Sequence, residues 1–185
     1  MHIKPNGCVG QLLKTIGEIL TDEPYDPALR RKAIDDLRVW LAQADQMQVK
    51  ETLLKFIDDP DSTIQCTAID EALKWSATSP DQDIMNRSLA KLNSEHEYIR
   101  GTIVYGLYSY DITDDQTIDA LVNVLLHDSS SDVRSHAATL LGRTKHTKVK
   151  PALEWARDND FEKNYENMSV SQSAEAALRS LRRAE

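Results

Sequence analysis

Apolar residues recur along this chain at helical spacing, in stretches broken by short polar turns. Leu12, Leu13, Ile16, Ile19 and Leu20 mark one stretch, and Leu29, Ala33, Leu37 and Trp40 the next. The alternation continues through Met47–Ile57, then Ile64, Ala68, Ala72 and Trp75, then Ile84, Met85, Leu89 and Leu92. Ile99, Ile103, Leu107 and Tyr110 follow, then Ile118, Leu121, Val122, Leu125 and Leu126, then Val133, Ala137 and Leu141. Leu153, Trp155 and Ala156 precede a final stripe of Val170, Ala174, Leu178 and Leu181. Asp26-Pro27, Asp58-Asp59-Pro60-Asp61 and Ser79-Pro80-Asp81 punctuate the stretches with helix-capping and helix-starting residues. The pattern predicts five helix pairs, over about residues 8–44, 47–77, 81–110, 115–144 and 148–183.

The second helices of the pairs align with one another. Their leading apolar residues are Leu29, Ile64, Ile99, Val133 and Val170, at intervals of 35, 35, 34 and 37 residues. Four positions on stand Ala33, Ala68, Ile103, Ala137 and Ala174, and eight positions on Leu37, Ala72, Leu107, Leu141 and Leu178. Eleven positions on come Trp40, Trp75, Tyr110, Thr144 and Leu181. On a helix these positions fall within about 80° of one another, so each second helix has one narrow apolar edge. A pair cannot bury such an edge alone, and stacking of successive pairs supplies the core. The expected fold is all-α, an α-solenoid of about five antiparallel helix pairs in a single domain spanning residues 1–185.

Asp128-x-x-x-x-Val133-Arg134-x-x-Ala137-x-x-x-Leu141-Gly142 resembles the second-helix signature of HEAT repeats, in particular the short variety found in bilin lyases. Asp26–Arg30 and Asp59–Ile64 resemble the turn before that helix. The resemblance covers nearly the whole chain; it implies a HEAT-like superhelix and says little about function. Arg30, Arg100 and Arg134 repeat one column of the signature, whereas Gln65 and Ser171 depart from it and interrupt an Arg–Asp ladder between repeats.

Composition narrows the partners. The 185 residues are 41% hydrophobic and 28% charged, with a formal net charge of −8 and a pI near 5.1. An acidic chain is a poor counterion-releasing surface, so nucleic acid is not expected as a partner, and a DNA-acting enzyme similar to HEAT-like glycosylases is disfavoured. No run approaches the roughly 18 apolar residues of a membrane span. Cys8 and Cys66 form no ligand or redox motif. Free thiols and the lack of a signal-peptide core near Met1 point to a cytoplasmic protein.

Candidate chemistry is sparse. His96-Glu97 is the only adjacent His-Glu pair, short of the converging dyads that helical-repeat hydroxylases use for iron, and His2, His127, His136 and His146 have no evident partners. No metal or other cofactor is expected. Asp35-Asp36 and Asp114-Asp115 fit helix surface or helix capping. Cys66 has no activating base nearby in sequence. A non-enzymatic role is the expectation.

The exposed face of the second helices is the better candidate. Positions two, six and nine after each leading residue lie opposite the apolar edge. They read Arg31, Asp35, Arg38; Cys66, Asp70, Leu73; Gly101, Tyr105, Tyr108; Ser135, Thr139, Gly142; and Gln172, Ala176, Arg179. Tyr105 and Tyr108, beside Gly101 and Gly106, form an aromatic patch suited to a binding hot spot. The alternative is that both tyrosines pack on a neighbouring helix with their hydroxyls in water. The long acidic connection 158–168, carrying Phe161 and Tyr165, reads first as a mobile insertion and second as a functional loop for a basic cleft. The expected protein-binding residues are Arg31, Asp35, Arg38, Asp70, Tyr105, Tyr108, Thr139, Phe161 and Tyr165. The expected function is a scaffold that binds a protein on the concave face, with an inhibitor or immunity-type protein for a basic partner as its sharper form. A bilin lyase or chromophore-handling protein, using the aromatics with Arg31, Arg38 or Arg179, is the alternative.

Overall fold

The computed structural model describes residues 26, 28–29, 32, 46–144 and 146–183. Among them eight α-helices follow one another: α1 (Gln46–Ile57), α2 (Ser62–Thr78), α3 (Gln82–Ala90), α4 (Glu97–Gly106), α5 (Asp115–His127), α6 (Ser131–Leu141), α7 (Lys150–Asn159) and α8 (Val170–Arg182). No strand occurs among the described residues; Lys163 and Ser169 form one isolated antiparallel bridge. The helices coincide with the last four expected pairs. Apart from Asp26, Ala28, Leu29 and Lys32, the first pair lies outside the described residues, as do Arg31, Asp35 and Arg38. Asp26 does cap as expected, its carboxylate accepting from the backbone N–H of Ala28 at 2.9 Å and of Leu29 at 3.3 Å. Leu29, first of the leading apolar residues, is 50% exposed.

Three of the four columns are buried over the later pairs; in the fourth, Leu181 is buried and Trp75, Tyr110 and Thr144 are half-buried. Ile64, Ile99, Val133 and Val170 are buried, as are Ala68, Ile103, Ala137 and Ala174 four positions on. Ala72, Leu107, Leu141 and Leu178 complete the edge. A further column, five after the leader, is buried too at Ile69, Val104 and Ala138. A helix inside a stack is covered by its own partner and by a neighbouring repeat, so its buried arc is wider than the apolar edge alone.

The chain divides into two compact units, Met1–Ser88 and Leu89–Glu185. In the first unit, Leu53, Phe56 and Ile57 of α1 are buried together with the edge of α2. Asp61 caps α2, accepting from Thr63 N at 2.8 Å and Ile64 N at 3.1 Å. Lys50 ties α1 to the start of α3 through Asp81 at 2.9 Å and Asp83 at 2.5 Å.

In the second unit the packing is tight enough to exclude a methyl group at Gly142. A Cβ there would lie 2.6 Å from both the Cα and the Cβ of Ala177 on α8. The glycine is a close-approach residue between repeats, not part of an open face.

On α2, α4 and α6 the position after the leading residue performs one task, despite its varied chemistry. Gln65 Nε2 donates to Asp59 O at 2.5 Å, Arg100 Nη1 to Ser94 O at 2.8 Å, and Arg134 Nη1 to Asp128 O at 2.7 Å. Each holds a carbonyl of the turn leading into its own helix. Ser171 Oγ instead donates to Arg157 O, a carbonyl within α7, at 2.6 Å. The arginines also reach forward. Arg100 pairs with Asp128 through two bonds of 2.7 and 2.8 Å, and Arg134 with Asp160 at 2.7 and 3.2 Å and Glu162 at 2.6 Å. The ladder therefore exists across the second unit, linking each repeat to the next.

Its last rung anchors the long connection after α7. Asp160 and Asn164 are buried. Asn164 Oδ1 accepts from Glu166 N at 3.1 Å and Met168 N at 3.0 Å, closing a turn in which Asn167 adopts φ 63°. Ser169 then starts α8 with a reciprocal capping box to Gln172. Ser131 Oγ donates to Lys163 O at 2.9 Å, and Tyr165 N to Asp132 Oδ1 at 3.2 Å. The segment that sequence composition suggested as a mobile insertion is a folded strap across the start of α6.

Candidate functional site

Two neighbouring second helices of the second unit present adjacent stripes. On α4 the spacing 98, 102, 105 places Tyr98, Thr102 and Tyr105 on one side; on α6 the spacing 132, 136, 139 does the same for Asp132, His136 and Thr139, and Arg143 continues that stripe just beyond the helix. Tyr108, in the 3-10 turn Leu107–Ser109 that ends α4, stands between the stripes.

The aromatic rings converge there. Tyr105 and Tyr108 have centroids 5.9 Å apart, and His136 lies edge-on to both, at 6.4 and 6.3 Å. The Arg143 guanidinium sits over the Tyr108 ring, 5.2 Å from its centroid. Tyr108 is half-buried and its hydroxyl donates to His136 O at 3.2 Å, while Tyr105 is 67% exposed. The His136 ring bonds the Asp132 carbonyl through Nδ1 at 2.8 Å. A carbonyl only accepts, so Nδ1 carries the hydrogen. Burial raises the Tyr108 phenol above the ordinary tyrosine range, against the smaller lowering effects of Thr139 and Arg143. The two tyrosines thus divide the alternatives open at the sequence level. Tyr108 packs on the next helix, and Tyr105 faces solvent.

The open face is rotated from the expected one. Leu73, Ser135 and Gly142 were expected on it and are buried; on α6 neighbouring helix packing closes that side, as Gly142 shows against Ala177, whereas Gln172 and Arg179 on α8 stay exposed. At Gly101 a Cβ would stand at an ordinary contact distance of 3.8 Å from Val133 Cγ2, and Gly106 is buried. On α4 and α6 the open or half-open positions are three, six and ten after the leader, which brings in His136 and Arg143. Sequence reasoning passed over both; the i, i+4, i+7, i+11 run from Asp132 to Arg143 was the available signal.

The other expected residues lie elsewhere. Asp70, on α2 in the first unit, is paired with Lys74 at 2.6 Å. Thr139 is exposed on the α6 stripe, its hydroxyl donating to Ser135 O at 3.0 Å. Phe161 is exposed, and Tyr165 is 81% exposed. Tyr165 reaches Glu97 Oε1 with its hydroxyl at 3.3 Å, and the negative charge of Glu97 raises its phenol above the ordinary range. Tyr98, also exposed, is the neighbour that sequence reasoning missed here.

Two grooves lie off this face. One of about 540 Å³ runs between α5 and α7, lined by Val122, Leu126, Pro151 and Trp155. The other, of about 740 Å³, lies along α8 near Gln172, Arg179 and Arg183. Arg179, the cation offered to a chromophore, is engaged by Glu175 at 3.0 Å. Among the described residues no group of three or more His, Cys, Asp or Glu side chains could hold a metal ion. No helix among them is long and apolar enough to cross a membrane.

Residues 85–165 match the family model for HEAT repeats. No curated protein sequence matches the chain. Twelve solved chains are similar in structure. One is a computationally designed armadillo repeat protein made for modular peptide recognition, with a TM-score of 0.57 at 18% identity, covering 94% of this chain and 82% of the other. At that identity the likeness concerns the fold. The chain is an α-solenoid of the helical-repeat kind, and over residues 85–165 its repeats match the HEAT family.

Proposed function

We propose that the protein is a non-enzymatic binding module that takes a segment of a protein partner on the α4–α6 face. The observation that carries this is the cluster of Tyr105, Tyr108 and His136, with Tyr105 held largely in solvent beside two partly packed rings. Rigid aromatic groups on a preformed surface give large contact area at small entropic cost. The designed armadillo relative, described as recognising peptides, supports the same use of a similar fold.

The net charge of −8 and the exposed strap with Phe161, Tyr165, Glu162 and Glu166 favour a basic partner. An inhibitor or immunity-type protein, acting in the cytoplasm by covering the basic cleft of another protein, is the sharper form of the proposal. The bilin-lyase alternative rests on the repeat signature, and failure to take up tetrapyrrole would remove it.

A displayed peptide library selected on the full chain tests the binding face. Enriched peptides are expected to bind Tyr105→Ala roughly tenfold more weakly than wild type. The exposed position keeps the fold intact in that variant. Peptides that bind the variant undiminished would place the function elsewhere.

A further inference from the structure

We propose that Arg143, stacked on Tyr108 beside Tyr105, is a subsite for an Asp or Glu side chain carried next to an apolar residue on the partner segment. This rests on the assignment of the α4–α6 face as the binding surface and adds the chemistry of one subsite, an acidic side chain on a partner that is basic elsewhere, opposite the acidic strap.

Four arginines and one lysine of this unit have carboxylate partners. Arg100 is paired with Asp128, Arg134 with Asp160 and Glu162, Lys148 with Asp115 and Asp119, Arg157 with Asp158, and Arg179 with Glu175. In a chain with 30 acidic and 22 basic residues, a carboxylate partner is the ordinary fate of a guanidinium. Arg143 departs from it, as Arg182 and Arg183 do at the end of α8, and it differs from those two in its place over an aromatic ring. Among the described residues it makes no ion pair, is exposed, and lies over an aromatic ring.

A guanidinium stacked on a ring keeps its N–H donors directed outward along its edges, the arrangement that meets a carboxylate with two parallel bonds. Tyr108 restricts the fork's freedom, so less entropy is lost when it closes on a ligand. The exposed Tyr105 ring, adjoining Tyr108 at 5.9 Å, supplies apolar surface beside the charge. The ligand that satisfies both has a carboxylate and an apolar group on neighbouring residues. A lysine in the same place would meet the fixed positive charge.

Three blocked dipeptides titrated into the isotope-labelled full chain by NMR test this: N-acetyl-phenylalanyl-aspartyl amide, its asparaginyl analogue and its lysyl analogue. The aspartyl probe is expected to shift amides of Tyr105–Tyr108 and Thr139–Arg143 and to bind roughly fivefold to tenfold more tightly than the other two, as an exposed charge-assisted contact allows. Arg143→Gln is expected to remove that preference while all three probes retain the weak, equal binding of the tyrosines. Arg143→Lys keeps the charge and loses the stacked fork, so it recovers only part of the preference. Equal binding of the three probes to wild type, or an aspartyl preference that survives Arg143→Gln, would overturn the subsite and leave the binding face standing. Absence of any shift at Tyr105 and Tyr108 with every probe would overturn both.

Discussion

Arg100 shows how a single side chain both builds a repeat and joins it to the next. Its partner Asp128 has a side chain only 3% exposed, so removing the guanidinium strands a charge in the interior. Arg100→Met is expected to destabilise the protein by about 3–5 kcal/mol, measured by urea denaturation, and adding Asp128→Leu should recover part of the loss. The recovery is incomplete because Asp128 also accepts from Ser130 N at 2.8 Å. Tyr108 carries a pH signature. Burial raises its phenol above the ordinary value of 10.0, so the folded chain holds that proton more tightly than the unfolded one. The associated stability is complete below about pH 10 and is lost as the pH rises through the folded value. An ultraviolet titration should show late-ionising tyrosines, of which Tyr108→Phe removes one, along with part of the alkaline loss of stability.

At the scale of elements, the columns that bury the second helices were legible because apolar periodicity and burial are the same fact seen twice. Ile99, Ile103 and Leu107, like Val133, Ala137 and Leu141, are buried where the period puts them. The orientation of the open face was not legible to the same precision. Which flank a neighbouring repeat seals depends on how closely the helices approach, and the small residues at Ser135, Gly142 and Ala177 look the same in sequence whether they face solvent or backbone. The strap was misleading for a related reason. Its polar side chains, which suggested mobility, are the groups that bond it down: Asp160 to Arg134, and Asn164 to two amides of its own turn. Asn164→Ala is therefore expected to cost about 1–2 kcal/mol and to speed amide exchange at Glu166 and Met168. Unchanged exchange there would mean that the strap is held by other contacts.

For the molecule as a whole, the same repeated task at Gln65, Arg100 and Arg134 shows that helical-repeat architecture tolerates variation in chemistry while preserving the contact it needs. That tolerance is why the repeat signature speaks for the fold and not for the function. Function resides in what the scaffold leaves outside, and the α4–α6 face competes there with the apolar groove between α5 and α7. Amide hydrogen exchange on the full chain, with and without a library-selected peptide, separates the two. The account predicts new protection over Glu97–Ser109 and Ser131–Arg143, with Val122–Leu126 and Pro151–Trp155 unchanged. Protection confined to the α5–α7 groove, with the tyrosine face unaffected, would contradict it.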